Sequence, residues 1–300
     1  MSQNAKIIKA LALENRIRVY ISNTTDIVNT TIFKHDLWPS AASVLGKTMT
    51  IGVMMGAMLK QDEALTIKID GNGPIGVVVC DANAKGEVRG YVTREHVHFD
   101  KNQELDDVTT LGNNGFIDVI KDLKLKDLFT SSIPLQTGDL AKDFTYYFTV
   151  SEQTPSMVSL GSLFDVNNQA KIFGGIIIQL LPDALEKDIV YLESKINILS
   201  KFSKLLLENE NLEDILKLLF NEDYEIIETK DIMFKCDCSK EKFAGGLISL
   251  GKEQIQDIIG KEKHAEVVCH YCKNVYDFNE NELNNLLKYA KGEEKNGPIQ

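Results

Sequence analysis

Four of the five cysteines in this 300-residue chain fall into two close pairs. Cys236 and Cys238 stand one residue apart in FKCDCSK, and Cys269 and Cys272 stand two apart in VVCHYCKN, with thirty residues between the pairs. Each pair can clasp one edge of a tetrahedron. Four thiolates together suit Zn2+, a borderline-soft ion that takes four ligands in structural sites, with Zn–S distances of about 2.3 Å. The spacing therefore predicts one zinc ion per chain on Cys236, Cys238, Cys269 and Cys272, with His270 a bystander inside the second pair. Zinc-bound sulfur keeps thiolate character, and oxidants attack thiolates to give sulfenic acid, then a disulfide where a second cysteine is adjacent. Each pair provides that neighbour, so spacing leaves a purely structural zinc site and a redox switch both open.

The remaining reactive residue types point to less. Cys80 ends the apolar run IGVVVC and reads most simply as a buried small hydrophobe, since a catalytic thiol would need an activating base brought beside it in space. His96 and His98 share a strand face but have no third ligand in view, which makes them a solvated pair. GNGPIG has Pro74 in its middle and no Lys-Ser or Lys-Thr opening a helix, so turn chemistry accounts for its glycines better than phosphate binding. A thiol oxidoreductase would turn over on one C-x-x-C pair and leave the C-x-C pair without a role. No catalytic residue is assigned, and no enzymatic activity is expected.

Composition narrows the partners. A net charge of −11, a pI near 5.0 and only four arginines (Arg16, Arg18, Arg89 and Arg94) argue against nucleic acid, whose phosphates need clustered cations. Charges interrupt the apolar residues of MSQNAKIIKALALENRIRVY, and no stretch reaches about 18 uninterrupted apolar residues, so neither a secretory leader nor a membrane span is expected. The expected compartment is the cytoplasm. Thiols there are kept reduced, which favours metal or redox chemistry for close cysteine pairs over a permanent staple.

The elements that must hold the cysteines follow from periodicity. β-branched alternation in RVYISNTTDIVNTTI predicts strands joined by a polar turn. SAASVLGKTMTIGVMMGAMLK predicts a helix capped by Asp36, Ser40 or Ser43. Its apolar residues, including Met49, Met54, Met55 and Met58, lie on nearly every side, which suits a buried central helix better than an adaptable binding face. Residues 64–99 read as consecutive antiparallel strands, TGDLAKDFTYYFTVSEQTPSMVSLGSLF as a short helix, a polar loop and a strand, and QAKIFGGIIIQLLP as a buried strand. Strands with irregularly interspersed helices predict an α+β domain over 1–182, with a largely antiparallel sheet. Beyond Pro182 the chain turns to helix formers. Leu185, Ile189, Leu192, Ile196 and Leu199 form an amphipathic stripe, and NLEDILKLLF starts a second helix capped by Asn211, which predicts a helical linker over 183–230. The cysteine module, 231–300, has a modest apolar set that includes Phe234, Phe243, Leu247, Ile255, Tyr276, Phe278 and Leu286. So small a unit is marginal alone, and structural zinc contributes about 10–16 kcal/mol of apparent binding energy in such modules.

FKCDCSKEKF followed by VVCHYCKNVYDF resembles the zinc motif of the 33-kilodalton heat-shock protein family, redox-regulated holdase chaperones of the bacterial cytosol. DGNGPIG, GEVRGYV, DFTYYFTVSEQTPSMVSLG and GGIIIQLLP resemble stretches of that family's N-terminal domain in the same order, so the resemblance spans nearly the whole chain. It implies a folded α+β domain, a helical linker and a zinc-bound switch on the four cysteines. It further implies that oxidative stress forms Cys236–Cys238 and Cys269–Cys272 disulfides, ejects zinc, and unfolds the switch and linker. The chain would then hold unfolding client proteins without ATP, as a homodimer. On this reading the stripe Leu185, Ile189, Leu192, Ile196 and Leu199 is the expected client surface, uncovered on oxidation. The competing expectation is a constitutive zinc-stabilised interaction module whose partner binds the N-terminal sheet.

Overall fold

Alternating apolar and polar residues build most of the first part of the chain as strands, and the computed structural model describes residues 5–102, 104–209 and 211–290. The chain divides into two compact units, Met1–Lys235 and Cys236–Gln300. The first unit runs β1 (Lys6–Ala12), β2 (Ile17–Asn23), α1 (Thr25–His35), α2 (Pro39–Gly56), β3 (Ala64–Asp70), β4 (Val77–Asn83) and β5 (Glu87–Val92). It continues through β6 (Asp100–Lys101), β7 (Glu104–Leu105), α3 (Asp107–Leu111), β8 (Phe116–Asp122), β9 (Phe129–Pro134), α4 (Leu140–Val150), β10 (Ser156–Phe164) and β11 (Ala170–Leu180). Three helices follow, α5 (Glu186–Leu199), α6 (Phe202–Glu208) and α7 (Leu212–Phe220), then β12 (Tyr224–Asp231) and β13 (Met233–Phe234).

Two large sheets result, in the strand orders β10-β11-β2-β1-β12 and β13-β5-β4-β3-β8-β9, beside a short antiparallel β6–β7 pair. The first is antiparallel throughout, and the second is antiparallel except where β13 runs parallel to β5. The fold is thus α+β with largely antiparallel sheets, as expected. Helix α2 packs against strands of both sheets, and all of it except Pro39 and Lys47 is buried. That is why its sequence is apolar or small on every side. At Gly52 a Cβ would stand 2.6 Å from Cys80 Sγ, so only glycine lets α2 approach β4 this closely. Met49, Met54 and Met55 lie in this core and Met58 packs against it, which fits the buried-helix expectation.

A second core lies on the five-stranded sheet. In β11, Phe173 and Ile177 join the core around α2, whereas Ile172, Ile176 and Ile178 join a cluster with Leu192, Leu199, Phe202, Leu205, Ile215, Leu216 and Phe220 of α5–α7. Both faces of this strand are covered, so FGGIIIQLL reads as a continuous apolar run instead of an alternating one.

Four local expectations change. The segment TTDIVNTTIFKH is helix α1, not strand, because Ile27, Val28, Thr31, Ile32 and His35 recur at helical spacing and bury one face, which outweighs their β-branched propensity. Helix α2 starts with Pro39 in its first turn after Trp38, and no side chain caps it. Ser40 instead bonds the Phe99 main chain, and Ser43 donates to Asp107. The helical segment over 183–230 ends at Phe220. Residues Tyr224–Asp231 form β12, an edge strand paired with β1, in which Tyr224 and Ile226 pack against the second core. Phe234, counted in the cysteine module, lies in β13 and packs against the core of the first unit.

The second unit runs α8 (Lys240–Leu250), α9 (Lys252–Lys261), β14 (His264–Val268), β15 (Val275–Asn279) and α10 (Glu280–Ala290), with β14 and β15 an antiparallel hairpin. Ala244, Leu247, Phe278, Leu283 and Leu286 form its small core, with Phe243, Ile258, Val267 and Tyr276 packed around it. Among the described residues, no helix is long and apolar enough to cross a membrane.

Candidate metal and redox centre

Two local structures present the four sulfurs. Cys236 and Cys238 lie on the extended approach to α8, whose first turn is capped by Ser239 accepting from the Lys242 N–H at 3.3 Å. Cys269 and Cys272 sit in the turn of the β14–β15 hairpin. The Cys269 N–H donates to the Asn274 carbonyl at 2.9 Å, the Lys273 N–H donates to the Cys269 carbonyl at 2.9 Å, and Lys273 closes the turn at φ +60°. A two-residue spacing inside such a turn aims both side chains to one side.

The two pairs meet. Cys236 Sγ lies 3.7 Å from Cys269 Sγ and Cys238 Sγ lies 3.2 Å from Cys272 Sγ, and all four sulfurs fall within 4.8 Å of one another. A tetrahedron with Zn–S bonds of about 2.3 Å has edges of about 3.8 Å, so the donor set and its spacing fit a metal ion of zinc's size and softness. Cys269 and Cys272 are buried, and Cys236 and Cys238 half-buried. No two of the five cysteines are joined by a disulfide.

The environment separates the thiols. Burial opposes ionisation of Cys238, but hydrogen bonds from the Tyr276 hydroxyl and from Cys272, Cys236 and Cys269 outweigh it and bring its pKa down to about 7. Burial pushes Cys236 and Cys272 up. The hydroxyl of Tyr276, 3.2 Å from Cys238 Sγ, is itself pushed up to about 12 by its bond to that sulfur. Tyr276 enters the sequence only as one apolar residue of the module. Its period-2 position on β15 is the signal that it faces the site.

Other candidates disperse. Cys80 is fully buried in β4, where burial drives its thiol well above the usual range. His96 pairs with Asp36 at 3.0 Å and stacks on Trp38, while His98 pairs with Asp100 at 3.1 Å, so each imidazole has its own carboxylate and they form no shared site. His270 is exposed. The linker stripe does not form one covered face. Leu192 and Leu199 are buried and Ile189 is half-buried, but Leu185 and Ile196 are about half exposed, at 49% and 48%. Within the stripe, Leu192 and Leu199 join the second core, beside Tyr191 and Ile198 of α5 packed against it, whereas Leu185 precedes the first helical turn.

Known proteins resemble this chain over nearly its whole length. Residues 5–279 match the family described as Hsp33 protein. A 33 kDa chaperonin of Geobacillus sp. (strain WCH70) is 46% identical over 288 residues, 95% of this chain and 98% of that protein. A 33 kDa chaperonin of Bacillus subtilis (strain 168) is 45% identical over 282 residues, 93% and 97% of the two chains. The crystal structure of the 33 kDa chaperonin from Thermotoga maritima superposes with a TM-score of 0.90 at 35% identity, covering 97% of this chain and all of the other. With residues 5–279, the four clustered cysteines among them, inside the family match, the chain belongs to the Hsp33 family of heat-shock chaperones.

Proposed function

We propose that this chain is a redox-regulated, ATP-independent holdase of the cytoplasm, inactive while its four thiols are reduced and hold zinc. Oxidation would join Cys236 to Cys238 and Cys269 to Cys272. Each disulfide removes two electrons from its pair of thiolates, and a peroxide that accepts them, with two protons from solvent, is reduced to two waters. Zinc held by Cys236, Cys238, Cys269 and Cys272 would cross-link the approach to α8 and the β14–β15 turn, and disulfides within the pairs would no longer offer four thiolates to hold it. The module, whose own core is small, would then unfold, and α5–α7 would lose their hold on the sheet.

The observation that carries this reading is the convergence of four sulfurs within 4.8 Å in a chain of this family. The second core supports the client surface. If α5–α7 leave the sheet, Ile8, Ala10, Val19, Ile21, Ile176 and Ile178 of β1, β2 and β11 become accessible together with Leu192, Leu199, Phe202 and Phe220. A continuous apolar surface of that kind binds unfolding proteins. Leu185 and Ile196 are already exposed, so Leu192 and Leu199 are the members of the stripe that a switch would uncover. Clients would be unfolding proteins, held by the oxidised homodimer.

The test follows zinc release with a chromogenic chelator while measuring suppression of a model client's aggregation, on reduced chain and on chain treated with peroxide at elevated temperature. Zinc should leave as activity appears. Equal activity with zinc bound would sink the switch and leave a constitutive zinc-stabilised interaction module.

A further inference from the structure

The single O–H of Tyr276 has two acceptors within reach, the Cys238 carbonyl oxygen at 3.2 Å and Cys238 Sγ at 3.2 Å. Its ring is fixed for this. Tyr276 pairs with Val267 across the hairpin, and its ring centroid lies 5.1 Å from that of Phe243 in α8. The sulfurs of Cys236 and Cys272 take main-chain N–H donors, from Cys238 and Asn274. Cys238 takes a side-chain donor, so one substitution can remove its hydrogen bond and leave the turn intact.

We propose that Tyr276 is a positioning residue of the cysteine centre, whose O–H donates to the Cys238 thiolate, tightening the grip on the metal and slowing that sulfur's attack on oxidants. This rests on the redox-switch reading. Four thiolates around a divalent cation carry a net charge of about −2, and each donor that spreads this charge stabilises the loaded site. Partners that bond a metal's ligands are typically worth about 10–100-fold in metal affinity. The same bond draws electron density off the sulfur and must be released before the lone pair can react. In the reaction concerned, Cys238 Sγ attacks one peroxide oxygen, the O–O bond breaks, and hydroxide leaves and is protonated to water. The sulfenic acid that remains is attacked by Cys236 Sγ. Its S–O bond breaks, a second hydroxide leaves to become water, and the disulfide forms. The hydroxyl of Tyr276 acts on the first of these steps.

The experiment uses the full, reduced, zinc-loaded chain and Tyr276→Phe. Zinc affinity is read by competition with a chromogenic chelator, and the first oxidation events by trapping sulfenic acid with a 1,3-dione and comparing the labelling of Cys238 with that of Cys272. Zinc affinity should fall about tenfold. The Cys238-to-Cys272 labelling ratio should rise about fivefold, the rate equivalent of one hydrogen bond. Phe243→Leu loosens the ring packing but keeps the hydroxyl, and its ratio should stay at the parental value. A parental ratio in Tyr276→Phe overturns the proposal, because general loosening exposes every sulfur alike and leaves the ratio unmoved; so does an equal rise in Phe243→Leu, which keeps the hydroxyl. If the ratio rises but no holdase activity ever appears, the switch reading falls alone. If oxidation turns on holdase activity and the ratio does not move, the role of Tyr276 falls alone.

Discussion

Replacing Gly161 with alanine drives a methyl group into the backbone of α6. A Cβ at that position of β10 would lie 2.5 Å from Ser203 N, 2.8 Å from Ser203 Cα and 2.9 Å from the Phe202 carbonyl carbon, where ordinary contact begins at about 3.4 Å. These are main-chain atoms and cannot rotate away, so α6 must lift from the sheet by about 1 Å. Overpacking of this kind costs about 1–3 kcal/mol. The cost falls on the packing of Phe202, Leu205 and Leu206 in the second core. Local opening of α5–α7 should therefore become about 5- to 150-fold more frequent. Amide hydrogen exchange on the reduced, zinc-loaded chain reads this directly. Residues 186–220 should exchange faster by that factor while β3, β4 and β8 keep parental protection. If the helices gate the client surface, holdase activity should also appear at a lower temperature after peroxide treatment. Parental exchange in 186–220 would refute the packing argument. Faster exchange with an unchanged activation temperature would refute the gating.

Three more outcomes are expected. The Arg16 guanidinium, at 2.6 and 3.0 Å, holds the Asp188 carboxyl below its usual range against the opposing effect of burial, and the Leu185 N–H helps at 2.8 Å. A depressed folded pKa stabilises above the ordinary carboxylate range and is lost as pH falls through the folded value. Exchange at 186–192 should therefore speed up on acidification below about pH 4, and Asp188→Asn should be loose at neutral pH and lack that transition. Stripping zinc with a chelator under reducing conditions should unfold residues 236–290, seen as loss of helical circular dichroism and of hairpin exchange protection, since structural zinc contributes about 10–16 kcal/mol to such modules. A retained spectrum would show that the core around Phe278 suffices. Finally, the fully buried Cys80, its thiol pushed well up, should resist alkylation at neutral pH in the native chain while the four cysteines of the metal-stripped module react. Fast labelling of Cys80 would contradict its place on β4 under α2.

Residue order alone is enough where the chemistry is short-range. Cys236 with Cys238 and Cys269 with Cys272 are chelating pairs whatever surrounds them, because a ligand pair one or two residues apart meets one ion without help from distant chain. The burial of α2 was equally legible, since a helix apolar on every side has nowhere else to go. Other features depend on partners remote in sequence. Thr25–His35 and the strand Tyr224–Asp231 carry ambiguous local patterns, settled respectively by packing against the core around α2 and by the free edge of β1. The division of the linker stripe into buried Leu192 and Leu199 and exposed Leu185 and Ile196 is set by where α5 meets the sheet. The Tyr276 hydroxyl reaches Cys238 only because a hairpin brings β15 beside the approach to α8. Spacing carries the ligand set; which groups surround those ligands, and which apolar faces are covered, is decided by contacts between segments far apart in the chain, and no local pattern encodes them.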